Sequence, residues 1–196
     1  MDGSRHMEYQ TLNGFGGALT DSSGYVYSKM DSQQKKQMVD TYFGEGRLNY
    51  KMVRIPIDSC DFSVEQYEAM SNKEDTELNS FDFSRTRKYI IPLLEDAQKA
   101  AGKKLDILLS PWSPPAFMKT NGERSHGGKL KEEYKKLWAK YICRYIIEFR
   151  KLGFKTSKLT LQNEPKAVQT WDSCIYNGSE EKEFLRDYMY PALQSP

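Results

Sequence analysis

The sequence predicts an α/β fold of the (β/α)8 TIM-barrel type, of which this chain carries about the first four βα units. Three observations predict it. Short strand-like segments recur roughly 40–55 residues apart and alternate with amphipathic helical runs, the order that builds a parallel sheet. Polar and proline-rich residues follow each segment, as "TDSS", "DSCDFS", "SPWSPP" and "QNEP". In a barrel those positions are the carboxyl ends of strands, where active sites are assembled. The third observation is length: 196 residues fall short of the about 250 that a whole barrel takes.

The elements follow in chain order. The first strand-like segment is the turn-rich "LNGFGGALTDS", with Phe15, Ala18 and Leu19 among glycines. Its "GFGGA" looks superficially like a phosphate loop, but "LTDSSG" is not a helix start of that type, and no G-x-G-x-x-G opens a helix anywhere. After Asp31, an N-cap type, "SQQKKQMVDTYFGEG" sets Met38, Val39, Tyr42 and Phe43 on one helical face and ends at Gly44. The second strand is "KMVRIPIDSCDFS". A helix from Ile90 to Ala101 carries Ile91, Leu94, Ala97 and Ala101 at helical spacing, with Gly102 as its stop. "KLDILLSPWSPPAF" is the third strand. The long helix in "LKEEYKKLWAKYICRYIIEFRKLG" shows a wide apolar stripe of Leu137, Tyr141, Tyr145 and Phe149 with Trp138, Ile142 and Ile146, closed by Gly153. The fourth strand lies in "SKLTLQNEPKAV", and a last helix runs from Ser179 as N-cap to about Tyr190, with Glu180 and Glu181 in its first turn.

Composition narrows the function classes. The formal net charge is +2, and Lys and Arg are interleaved with Asp and Glu, so no nucleic-acid partner is expected. No apolar run approaches the roughly 20 residues of a membrane span. Cys60, Cys143 and Cys174 are odd in number and far apart, which predicts neither a disulfide framework nor a zinc site. No metal or cofactor is expected. The opening "MDGSRHM" reads as a tag-like leader, residues 1–7, which leaves residues 8–196 as the folded part.

The strand ends carry the candidate chemistry. Glu164 closes an apolar strand beside Asn163 and Pro165. A carboxyl partly desolvated at a barrel mouth has a raised pKa, as a general acid near neutral pH requires. On the tripeptide alone, a surface glutamate at a turn is the competing reading. Arg54 interrupts the apolar "MVRIPI", so it is expected to point into the barrel and pair with carboxylates, either catalytic ones or Asp21, Asp58 or Asp61. Asp61 suits a sugar-hydroxyl acceptor, with a cap or loop role as the alternative. Trp112, held among prolines, offers an aromatic platform or loop packing. His126 sits in a polar, glycine-flanked stretch and is expected to be solvated; His6 belongs to the leader.

Taken together, "GFGGALTDSS", "YFGEGRLNYKMVRIPIDSCDFS", "SPWSPPAFMKTNG", "LTLQNEP" and "WDSCIY" resemble glycoside hydrolase family 30, and glucosylceramidase-type members in particular, in order and spacing from about Leu12 onward. The resemblance implies a (β/α)8 barrel with a side β-domain and a retaining mechanism on β-linked glycosides, with sphingolipid or other carbohydrate metabolism as the setting. It implies that Glu164 is the acid/base, that Asn163 contacts the sugar 2-hydroxyl, that Arg54 orients the carboxylates, and that Asp61, Phe62 and Trp112 line the sugar subsite. It sets Asp58 where glucosylceramidases carry a small apolar residue, implying an altered hydroxyl preference. Retaining hydrolysis needs a second carboxylate about 5–5.5 Å from the first. The family draws it from strand seven, so no nucleophile is expected in this chain. The expectation is therefore the N-terminal half of a catalytic barrel, inactive alone, pairing with a second copy or a complementary C-terminal half. The alternatives are a non-catalytic carbohydrate-binding half-barrel, or the same family acting on β-xylosides, β-fucosides or β-1,6-glucans.

Overall fold

Val53, Ile55, Ile57, Ile107 and Leu109 are each at most 1% exposed, while their neighbours Met52, Arg54 and Leu108 are half-buried. That alternation is the pleat of two adjacent strands: one face is packed under helices and the other is open. In the computed structural model, which describes residues 9–194, four strands form one parallel sheet in the order β1-β2-β3-β4. They are β1 (Gly16–Ala18), β2 (Met52–Ile57), β3 (Asp106–Pro111) and β4 (Thr156–Leu159). Ala18 lies opposite Arg54, Arg54 opposite Leu108, and Leu108 opposite Lys158 after a register shift at Ile107/Leu108. The leader predicted at residues 1–7 lies outside the described residues.

The helices pack on the covered face and correct several expectations. One helix was not expected: α1 (Asp21–Lys29) opens directly after β1, with Thr20 and Ser23 forming a capping box. Its Ser-Ser-Gly start has poor intrinsic propensity, so the helix rests on that cap and on packing against the helix Ser84–Ala101. Gly24 is required there, because a Cβ would come within 2.3 Å of the Tyr89 carbonyl oxygen. The buried Asp21 carboxylate occupies this helix start, accepting from Arg85 and from the Val64 amide. A phosphate would meet that negative charge.

The next helix, α2 (Ser32–Phe43), is capped by Asp31 and stops at Gly44, with Val39 and Phe43 buried. Tyr42 is exposed instead. The third, α3 (Ser84–Ala101), starts six residues before Ile90 and carries Pro92 inside it. Proline removes one helical donor, yet Ile90, Ile91, Leu93 and Leu94 stay buried against the sheet. Gly102 ends it at φ +61°. The fourth, α4 (Lys135–Lys151), buries the expected stripe except Ile146, which is half-buried. Asn177, not Ser179, caps α5 (Gly178–Phe184), forming a box with Glu180. The helix then continues through a π turn into α6 (Tyr190–Gln194), past the Tyr190 limit.

The fourth strand is also shorter and less buried than its propensity suggests. It pairs with β3 on one side only, so Leu159, Thr160 and Leu161 are only half-buried. Its ladder nevertheless extends, with Thr160 N–H donating to Leu109 O at 3.0 Å and Asn163 N–H to Pro111 O at 2.8 Å.

Candidate active site

Across β2, β3 and the residues just after β4, polar side chains form one lateral chain. Arg54 on β2 donates through Nη2 to Ser110 Oγ at 2.8 Å and to Asn163 Oδ1 at 2.7 Å. Ser110 on β3 in turn shares a 2.6 Å hydrogen bond with Thr160 Oγ1. The Arg54 guanidinium stands 4.3 Å above the Trp112 ring, a cation–π contact that restrains the planar group. Burial pushes the Arg54 guanidinium below its usual value, and Cys60, Asp61 and Glu164 act the other way. Its partners differ from the expectation: none of Asp21, Asp58 and Asp61 pairs with it among the described residues. A serine hydroxyl and an amide oxygen are what its side chain meets.

Asn163 and Glu164 sit where the fourth strand turns into its loop. Gln162 locks this turn from behind, donating Nε2 to Trp112 O at 2.7 Å and to Asn163 O at 2.9 Å. Glu164 has φ +44°, a left-handed conformation unusual for a side chain of its size. Its carbonyl accepts the Ala167 amide at 2.9 Å, and Gln169 Nε2 reaches its Oε2 at 3.4 Å. The desolvation expected of Glu164 is not met: the residue is exposed, because only one neighbouring strand screens it.

The remaining predicted residues divide. Asp61 and Phe62 are exposed, Phe62 at 64%, in a loop fixed by Ser22 N–H to Phe62 O at 3.0 Å and by Cys60 N–H to Ser63 Oγ. Trp112 is only 6% exposed with Arg54 over its ring, so it has no open stacking face; the expected platform is support for Arg54 instead. Asp58 is likewise withdrawn from the mouth. It takes φ +60° and is 1% exposed, accepting from Tyr141 and Tyr145 hydroxyls at 2.6 Å each, from the Ala69 amide and from Arg124. Burial pushes its pKa up, against the pull of Arg124 and the two tyrosines. The hydroxyl preference expected from Asp58 therefore has no geometric basis; its carboxylate is occupied inside the fold. His126 is exposed and its Nδ1 lies 2.9 Å from Glu123. The three cysteines are free and buried.

Ser110, Thr160 and Gln162 were not singled out from the sequence. Their signal was present: Ser110 shares strand parity with Arg54's neighbour Leu108, and Thr160 with Gln162. Trp171, 40% exposed in the loop after β4, was quoted only as part of "WDSCIY".

A parallel βα sheet with polar side chains converging beyond neighbouring strand ends defines a TIM-barrel enzyme face, here built on four of the eight strands. The glycosyl hydrolase family 30 TIM-barrel domain model matches residues 12–196, and the chain belongs to that family. Lysosomal acid glucosylceramidase of Mus musculus is 30% identical over 95% of this chain and 38% of its own length. Among solved structures, SrfJ from Salmonella typhimurium superposes with a TM-score of 0.91 at 40% identity, covering 94% of this chain and 41% of SrfJ. The endo-β1,6-glucanase BT3312 gives 0.87 at 25% identity, covering 95% of this chain and 42% of its own. The chain thus spans about 40% of the length of these relatives.

Proposed function

We propose that this chain supplies the acid/base half of a retaining β-glycosidase active site. One observation carries the reading: Asn163, beside Glu164 at the end of the fourth strand, is tied at 2.7 Å to Arg54 of β2. That bond aims the amide oxygen at the arginine and leaves Asn163's NH2 group to donate to a sugar hydroxyl. Glu164, next in the chain, is then the general acid that protonates the leaving oxygen and the general base that later activates water. Arg54 is the fixed positive group near both, held by Ser110 and Trp112. Asp61 and Phe62 are the exposed pair that offers an acceptor and an apolar edge to the sugar.

The second carboxylate comes from outside residues 12–196, in a complementary barrel half that covers the open sheet face and brings the nucleophile about 5–5.5 Å from Glu164. The same covering strands desolvate Glu164, which the acid role needs. The substrate class is a β-glucoside; the glucosylceramidase and endo-β1,6-glucanase among the relatives support β-glucose at the cleaved bond. Residues 12–196 alone are expected to turn over nothing. The test is to mix this chain with a separately made C-terminal half and follow nitrophenyl β-glucoside hydrolysis. Turnover is expected only in the mixture and only with Glu164 intact. Sugar binding without turnover in a properly assembled barrel would overturn the reading in favour of a carbohydrate-binding module.

A further inference from the structure

Arg124 is 3% exposed and stands among three carboxylates. Its Nε donates to Asp172 at 3.2 Å and its Nη1 to Asp58 at 3.3 Å, with Glu68 at 3.7 Å. Its Nη2 is buried and has no partner among the described residues. The three acids come from two places: Asp58 and Glu68 from the segment after β2, Asp172 from the loop after β4. A lone guanidinium with an unused donor and excess negative charge is a poor stabiliser compared with apolar packing. Its geometry suits another task, fixing where the last of these loops lies.

The path from Arg124 to Glu164 is short and hydrogen-bonded throughout. Arg124's own carbonyl accepts the Ser173 amide at 3.0 Å, and the His126 amide donates to Gln169 O at 2.8 Å. Ser173 Oγ accepts the Gly127 amide at 2.9 Å and the Gln169 amide at 3.2 Å. Gln169 is thereby anchored at both its N–H and its C=O, and its side chain is the group that reaches Glu164. At the other end, Asp58 is clamped by Tyr141 and Tyr145 of α4, a rigid base. A glutamate held at φ +44° stays there only if its surroundings over-determine it. The loop from Pro165 to Tyr176 is that constraint, and Arg124 with Asp172 pins it.

We propose that Arg124 and Asp172 are positioning residues for Glu164: they hold the loop after the fourth strand so that the carboxylate meets the substrate in one orientation. The inference rests on Glu164 being the acid/base. Asp172→Ala is the variant of choice, since it removes the oxygen that accepts from Arg124 and from Gln66 while leaving the Arg124–Asp58 pair. Glu148→Gln, which breaks ion pairs to Arg87, Arg144 and Lys151 near the C-terminal end of α4, is the control for a general loss of stability. In the assembled barrel, Asp172→Ala is expected to lower kcat about tenfold to a hundredfold with KM within about twofold, because misorientation acts on the chemical step. The pH profile of kcat should shift with it. In the chain itself, amide hydrogen exchange should quicken across residues 164–176 and stay unchanged in β2 and α3. Wild-type kcat and exchange in Asp172→Ala would overturn the proposal, as would the same losses in Glu148→Gln. If Glu164→Gln proves fully active, the acid/base reading fails by itself, and the exchange arm still reports whether the loop is pinned.

Discussion

Replacing Asp58 with alanine removes the keystone beneath the strand ends, and the structure allows its cost to be worked out. Breaking a buried ion pair by deleting one partner typically costs about 3–5 kcal/mol. Arg124 keeps Asp172, which places the Coulombic part near the lower figure. Tyr141 and Tyr145 lose the acceptor for their hydroxyls, and each orphaned buried hydroxyl adds about 1–3 kcal/mol unless water enters. Alanine also tolerates φ +60° worse than aspartate, by about 1 kcal/mol. With each contribution at its lower end, a loss of about 6 kcal/mol is therefore expected. For a chain of this size each 1 kcal/mol lowers Tm by about 2–4 °C, so Tm should fall by about 12–24 °C. Urea unfolding followed by tryptophan fluorescence and far-UV circular dichroism measures it directly. Asp58→Asn keeps an oxygen acceptor and a side chain suited to the left-handed region, so it should lose about half as much. If Asp58→Ala unfolds within about 1 kcal/mol of wild type, the cluster carries no strain-bearing load and the account of the strand-end scaffold is wrong.

Two further outcomes follow from the same geometry. Gly24→Ala drives a methyl into the Tyr89 carbonyl and should separate α1 from α3, costing about 1–3 kcal/mol by thermal unfolding; an unchanged Tm would show that α1 does not pack as described. Lys119 is buried, its Nζ donating to Arg124 O and Ser173 O, and burial lowers its pKa from 10.5 to about 8. Between those values the unfolded chain binds the proton and the folded chain does not, so Lys119's contribution to stability rises as pH climbs from about 8 toward 10.5. The difference in unfolding free energy between wild type and Lys119→Met should grow over that window, and a flat difference would refute it.

The parts of the fold that the sequence revealed are those fixed by local periodicity. Val53, Ile55 and Ile57 alternate cleanly, the stripe of α4 is wide, and Asp31 and Gly44 bracket α2, so each could be read without partners. The first helix could not, because Ser22, Ser23 and Gly24 disfavour a helix and only contact with α3 selects it. The opening of α3, "SRTRKY", was not legible either, because it is mostly polar and carries no apolar stripe of its own. At the site, Arg54 was legible as a charge interrupting an apolar strand, and Asn163 and Glu164 as polar residues ending one. Their partners were not: Arg54 and Asn163 are 109 residues apart, and Arg124 and Asp58 are 66 apart. The left-handed turn at Asp58 that swings its carboxylate away from the mouth has no signature in "IDSC". Glu164's exposure has a different origin, since desolvation depends on strands outside the four described.

The central claim is that Glu164 delivers a proton to the departing oxygen, and leaving-group dependence tests it most directly. In a complete barrel, Glu164→Gln should slow cleavage of an alkyl β-glucoside by about 10²–10⁴, while a dinitrophenyl β-glucoside, which departs without a proton, should form its glycosyl-enzyme at close to the wild-type rate. An equal loss on both substrates, or none on either, would contradict the assignment of Glu164 as the acid.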